Sequence, residues 1–141
     1  MDRTAKAHWS GNLMSGAGTI SSASGVLSST PYSFKTRFEQ GTGTNPEELL
    51  AAAHAGCFSM ALSLMLQNEG LTADSIDTTC TISLKKEGEG FAITHSHLAL
   101  EAKIPGATQE AFIRATNAAK ENCPVSKLYD TEITLDARLV P

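Results

Sequence analysis

The chain has 141 residues, enough for one domain of ordinary size and too few for two. With 11 Lys and Arg against 15 Asp and Glu, the formal charge is −4, and the cations are scattered, which excludes a basic nucleic-acid-binding face. Apolar residues make up 41%, an ordinary soluble composition, and three cysteines are too few and of the wrong parity for a disulfide scaffold. The opening MDRTAKAHWSG is polar and alternating and lacks the apolar core of a secretory signal, so a cytoplasmic location is expected. In a reducing compartment, cysteines are buried, catalytic or redox-active more often than bridged.

Taken in chain order, the first elements are strands. TAKAHWS and GTISSASGVL alternate and are separated by Gly-rich turns, and YSFKTRFE (32–39) alternates with Tyr32, Phe34, Thr36 and Phe38 on one face. Together they predict a β-meander over about 1–40. The stretch TNPEELLAAAHAGCFSMALSLML then predicts a helix over about 45–69. Asn45 is a good N-cap, Pro46 suits the first helical position, Glu48 completes a capping box, and Gly70 stands just past the end. Leu49 to Leu66 is an 18-residue run without formal charge, at the threshold for a membrane span. His54, Gly56, Ser59 and Ser63 interrupt it and its flanks are acidic, so it reads as a buried helix with no membrane role. Ala51, Ala55, Ser59 and Ser63 form a small-residue row that lets two helix backbones approach closely, or, in the plainer reading, packs closely against the chain's own sheet. Because the helix is apolar on nearly all faces, coverage on every side is expected, which one small domain supplies best as a homodimer.

A hairpin follows at about 74–103, turning near Glu87–Gly90 and ending at Pro105–Gly106. A second helix is predicted at about 107–122 with Ala111, Phe112, Ala115 and Ala119 (or Ala118) as its apolar stripe. Pro124 stops or restarts it, and EITLDARLV closes the chain as a strand at about 131–140. The order βββ-α-ββ-α-β reads as an α+β fold with antiparallel sheet in a single domain, 1–141.

Each cysteine has a plain reading and a chemical one. Cys80 shares a strand face with Ile76, Thr78, Ile82 and Leu84 and reads as structural. Cys57, on the apolar helix, is by default a small buried hydrophobe. Cys123 precedes Pro124, so if a new turn starts there it takes a cap position, where backbone N–H groups stabilise a thiolate. His54, three residues before Cys57, is either a packing histidine or its partner in a dyad, and packing is favoured. His95 and His97 share a strand face, with no third metal ligand in view, and read as solvated residues.

TNPEELLAAAHAGCFSMALSLML followed by ENCPVSKLY, with TRFE upstream, resembles the OsmC/Ohr family of thiol-dependent hydroperoxide reductases, most closely its osmotically inducible subgroup. The resemblance extends over essentially the whole chain. It implies an intertwined homodimer with sheets packed around long central helices, and a two-cysteine peroxidase without a bound cofactor. By the match of motifs, Cys57 is the peroxidatic cysteine, Cys123 the resolving one, Arg37 the catalytic arginine and Glu47 its carboxylate. The implied substrate is an organic hydroperoxide, with hydrogen peroxide a weaker one, and the implied reductant an external dithiol of dihydrolipoamide type.

Physical chemistry agrees with that assignment. Cys57 lies about 12 positions past the helix cap, beyond the reach of the helix dipole, so a cation must lower its pKa, and Arg37 held bidentately by Glu47 is the candidate. Glu47 and Cys57 are ten residues apart on one helix, about 15 Å along its axis and about 80° around it. Both cannot hold one arginine from the same straight helix, so Glu47 is expected to serve the Cys57 of the other subunit. The apolar residues Phe58, Met60 and Ala61 beside Cys57 suit an alkyl group. The competing expectations are a dimeric acyl-binding protein and an assembly module, each with incidental cysteines.

Overall fold

Alternation in the first third of the chain builds an antiparallel meander: β1 (Ala5–Ser10), β2 (Ala17–Ser22) and β3 (Thr30–Ser33), paired in the order β1-β2-β3. The computed structural model describes residues 1–141. Trp9 and Tyr32 both face Gly18 across β2, and their rings close to 5.3 Å over it. A Cβ at Gly18 would fall inside contact distance of the His8 carbonyl and the Tyr32 ring.

The expected strand over 32–39 is not formed beyond Ser33. Phe34–Phe38 is instead a short helix, α1. The reason is local: Ser33 and Thr36 form a reciprocal capping box, and Phe34 and Phe38, one turn apart, stack at 4.8 Å. The meander therefore ends at Ser33, and Arg37 lies on a helix.

The long helix α2 (Pro46–Asn68) starts and stops where the sequence predicts. The Asn45 side chain accepts from the Glu48 N–H at 2.8 Å and donates to the Thr36 carbonyl at 3.0 Å, so one side chain caps α2 and ties it to α1. Gly70 takes the left-handed conformation (φ +72°) that ends the helix. By length and apolarity α2 is the one helix able to cross a membrane, yet it buries His54, Phe58, Leu62 and Leu66 in the protein interior.

The second sheet contains β4 (Ser75–Glu87), β5 (Gly90–Lys103) and β6 (Glu132–Val140) in that order. β4 and β5 form the expected hairpin, turning at Gly88 with φ +58°, which suits the first central position of a two-residue loop. A bulge between Ser83 and Leu84 shifts the register. β6 pairs parallel to β5, where an antiparallel strand was expected. The long connection between them makes this possible: it carries α3 (Gln109–Asn122) and α4 (Pro124–Leu128), enough chain to return β6 in the same direction. α1 and α4 are the two elements absent from the expected order. The inner faces of β4 and β5, α2 and α3 build a core of Phe58, Leu62, Leu66, Leu98, Leu100, Phe112, Ala115 and Ala119, with Ile76 and Cys80 at its margin. Thus Ala119 closes the α3 stripe.

The chain divides into two compact units, Met1–Leu49 and Leu50–Pro141. In the first, only Gly18 and Thr44 are buried. In the second, Ser59 of the small-residue row meets the chain's own sheet, its hydroxyl 2.8 Å from the Thr78 hydroxyl, while Ser63 of the same row is exposed. α2 is not covered on every side within the chain: Ala53, Gly56, Met60 (77% exposed) and Leu64 (52%) remain in the open. One sheet face and one helix reach only one side of it.

Because Gly18 lets Trp9 and Tyr32 meet, Gly18→Ala is expected to cost about 1–3 kcal/mol by overpacking. Urea unfolding followed by the fluorescence of Trp9, the sole tryptophan, should show a lower midpoint and an altered native emission.

Candidate active site

The four candidate residues come together as two pairs. In the first unit, the Arg37 Nε lies 3.1 and 3.2 Å from the two Glu47 carboxylate oxygens, and Nη2 donates to Oε1 at 2.7 Å. The pair is bidentate, the geometry in which a guanidinium is best fixed. Glu47 stands in the first turn of α2, where a carboxylate is favoured by the helix dipole. Arg37 is placed by α1, and the guanidinium also lies 5.3 Å from the Phe38 ring centroid. Its Nη1 makes no bond, so one face of the fork is free to donate elsewhere. Beside it opens a cleft of about 220 Å³ walled by Trp9, Tyr32, Phe34, Phe38 and Pro46.

In the second unit, the Cys123 thiol points at the Cys57 sulfur across 2.6 Å, and both are free thiols. Cys123 is fully buried and Cys57 partly so. Pro124 does start a new helix, and Cys123 is its N-cap. The backbone N–H of Val125, in the first turn of α4, acts on the Cys57 thiol and favours its ionised form. Burial pushes the Cys57 thiol above its ordinary value, the neighbouring Cys123 sulfur adds to this, and the Val125 N–H works the other way. Within its own unit, therefore, Cys57 is held as a thiol, and a nucleophilic thiolate needs a further positive group.

His54 forms no dyad with Cys57. Its ring is fully buried, with Nδ1 2.7 Å from Ser96 Oγ and Nε2 2.9 Å from Ser126 Oγ. Cys80 is partly buried, as expected of a core-margin residue, and its sulfur meets the same Ser96 hydroxyl at 3.3 Å. The Tyr129 ring packs edge-on to His54 at 5.1 Å, and its hydroxyl donates to the Leu50 carbonyl at 3.0 Å. His95 and His97 share the Thr134 hydroxyl at 2.9 and 2.6 Å, and their other nitrogens face Glu132 and Asp136. No group of three or more His, Cys, Asp or Glu side chains is arranged to hold a metal ion. Phe58, expected beside the substrate, is buried in the core and Met60 faces outward. Sequence reasoning missed the Val125 N–H, Ser96, Ser126 and Tyr129. Only Val125 and Ser126 carried a signal, as the last two residues of the CPVS run in ENCPVSKLY.

Residues 39–138 match the family model of OsmC-like protein, and the chain belongs to that family. Peroxiredoxin OsmC of Escherichia coli (strain K12) is 54% identical over 134 residues, spanning 95% of this chain and 94% of that protein. The organic hydroperoxide resistance protein OhrB of Bacillus subtilis is 34% identical over 112 residues, spanning 79% of this chain and 80% of OhrB. The OhrB crystal structure matches with a TM-score of 0.68 over 97% of this chain and 98% of that one, at 29% identity. An organic hydroperoxide resistance protein OsmC from Legionella pneumophila matches with a TM-score of 0.71 at 26% identity, over 100% of this chain and 98% of its own.

Burial holds the His54 pKa below its ordinary value. The unfolded chain protonates His54 near pH 6.5 and the folded chain only lower, so the stability present above about pH 6.5 is lost as pH falls toward the folded pKa. The titratable groups facing the ring are Tyr129 and, through Ser96, Cys80; burial raises both, so neither charges in this window. His54→Gln should remove this part of the acid sensitivity. Urea midpoints of both proteins between about pH 7.5 and 5 should converge on acidification.

Proposed function

We propose that this chain is a cysteine-based peroxidase that reduces organic hydroperoxides, and hydrogen peroxide more weakly, to alcohols or water. The observation that carries this reading is the contact between two free thiols, Cys57 and Cys123, at 2.6 Å. Membership of the OsmC-like family, and the names of its relatives, support the same activity.

In the proposed cycle the Cys57 thiolate attacks one oxygen of ROOH, the O–O bond breaks, and the departing alkoxide takes a proton to leave as alcohol. Arg37 stabilises the charge on the leaving oxygen, with Glu47 fixing the guanidinium. The Cys57 sulfenic acid condenses with the Cys123 thiol to a disulfide and water. An external dithiol then exchanges with the disulfide, restoring both thiols and leaving itself oxidised. The aromatic cleft beside Arg37 takes the alkyl part, which favours organic hydroperoxides over hydrogen peroxide. The need for a dithiol reductant fits a cytoplasmic setting.

A homodimer in which each site is shared completes the proposal. Two observations support it. The open stripe of α2, Ala53, Gly56, Met60 and Leu64, is apolar and uncharged. The first unit buries no large side chain of its own, and units below about 70 residues rarely stand on a single core. Glu47 and Cys57 lie ten residues apart on the unbroken α2, about 15 Å along its axis. The Arg37–Glu47 pair of one subunit therefore serves Cys57 of the other.

Intact mass after one equivalent of an organic hydroperoxide should fall by about 2 Da, the loss of two hydrogens, and Cys123→Ser should abolish that loss. An unchanged mass with thiols unreactive at neutral pH would instead favour a binding module. Arg37→Ala should raise the Cys57 thiol pKa; an unchanged thiolate titration removes Arg37 from its role. Mixing Cys57→Ser with Arg37→Ala subunits should restore about a quarter of wild-type activity if sites are shared across a dimer. No recovery would place each site within one subunit.

A further inference from the structure

A helix of five residues does not sustain itself in water, and α4 has neither a side-chain cap nor any buried side chain except Ser126. Its position must come from what it touches. Three contacts run along α2 in reverse order. The Tyr129 hydroxyl donates to the Leu50 carbonyl at 3.0 Å, Ser126 Oγ lies 2.9 Å from His54 Nε2, and the Cys123 sulfur lies 2.6 Å from Cys57. Leu50, His54 and Cys57 recur at helical spacing and so share a face. The imidazole is thus the rung beside the sulfurs. Its other nitrogen is bound to Ser96 on β5, so α4 is fixed through His54 to the sheet as well as to α2. A neutral imidazole has one donor and one acceptor, so one serine hydroxyl donates to the ring and the other accepts from it. Both partners are buried, and losing either leaves a polar group without water.

We propose that His54 is a positioning residue for the resolving step: by holding Ser126 it keeps Cys123 within reach of Cys57 after Cys57 has been oxidised. The inference rests on the peroxidase reading above. In that step the Cys123 sulfur attacks the sulfenic sulfur of Cys57, the S–S bond forms and the S–O bond breaks. The hydroxyl leaves with the Cys123 proton as water. Cys123 is oxidised and the sulfenic sulfur is reduced to the disulfide level. The oxygen first has to be admitted where two sulfurs now touch, so the Cys123 end of α4 must yield while its Ser126 anchor holds. Without the anchor, Cys123 strays, the sulfenic acid lives longer, and a second peroxide carries it on to sulfinic acid.

The test is the fate of Cys57 sulfenic acid in a single turnover. Reduced full-length protein is mixed with tert-butyl hydroperoxide in the presence of a cyclic dione that alkylates sulfenic acids, and intact mass gives the ratio of dione adduct to disulfide. Ser126→Ala, which removes one oxygen and little volume, should raise that ratio by about tenfold. His54→Asn, which reaches toward Ser96 only, should do the same. His54→Gln, whose longer amide reaches the place of Nε2, should restore most of the wild-type ratio. The rate at which Cys57 is first consumed should stay within about twofold of wild type in all three. Because the ratio counts only folded molecules whose Cys57 has reacted, a role in stability alone does not move it. A wild-type ratio in folded Ser126→Ala overturns the inference and leaves the peroxidase reading intact. A wild-type protein that yields neither adduct nor disulfide overturns the peroxidase reading itself.

Discussion

Cys57 sits three turns into a long apolar helix, where the helix dipole has faded and neither end of α2 acts on it. Its surroundings are set by whatever packs across from it, and that is the start of α4. One short turn of chain delivers a second sulfur, a backbone N–H and, one rung further on, a serine bound to a buried imidazole. The two local influences on the thiol oppose each other, burial with the Cys123 sulfur raising its pKa and the Val125 N–H lowering it. A sulfur so placed touches a second thiol and is poorly ionised by its own unit. The positive group that would ionise it is not among its neighbours in that unit.

The Arg37–Glu47 pair depends on a joint. Asn45 closes the first turn of α2 with its oxygen and holds α1 with its nitrogen, while Thr44 N–H reaches back to the Pro31 carbonyl. With both helices pinned to one residue, Arg37 and Glu47 are brought into a two-point ion pair although ten residues separate them. Exposed ion pairs contribute little to stability, and Arg37 is 39% exposed. What the pair contributes is direction, since a guanidinium gripped at two points along one edge has its remaining nitrogen, Nη1, held in one place.

Much of this was legible in the sequence. The cap at Asn45, the stop at Gly70, the turn at Gly88 and the stripe of α3 are signals confined to a few residues, and each element stands where those signals put it. Cys123 at a helix cap was readable from Pro124 alone. The short helix α1 was not, because Phe34 and Phe38 satisfy a two-residue period and a four-residue period equally, and only the Ser33–Thr36 box breaks the tie. The direction of β6 has no local signature, since a parallel and an antiparallel strand carry the same alternation. His54 was read as packing, and it is buried, but its partners lie 42 and 72 residues away. No spacing rule reaches that far.

The parallel pairing of β5 and β6 has a consequence beyond topology. A hairpin would have joined these strands at their near ends with a few residues and left the face of the sheet bare at that edge. Running in the same direction, β6 can be reached only by a chain that travels the length of the sheet and returns. α3 and α4 are that return path, and Cys123 is the hinge between them. The orientation of one edge strand therefore decides whether any backbone passes over Cys57 at all, and so whether a second sulfur of the same chain can face it.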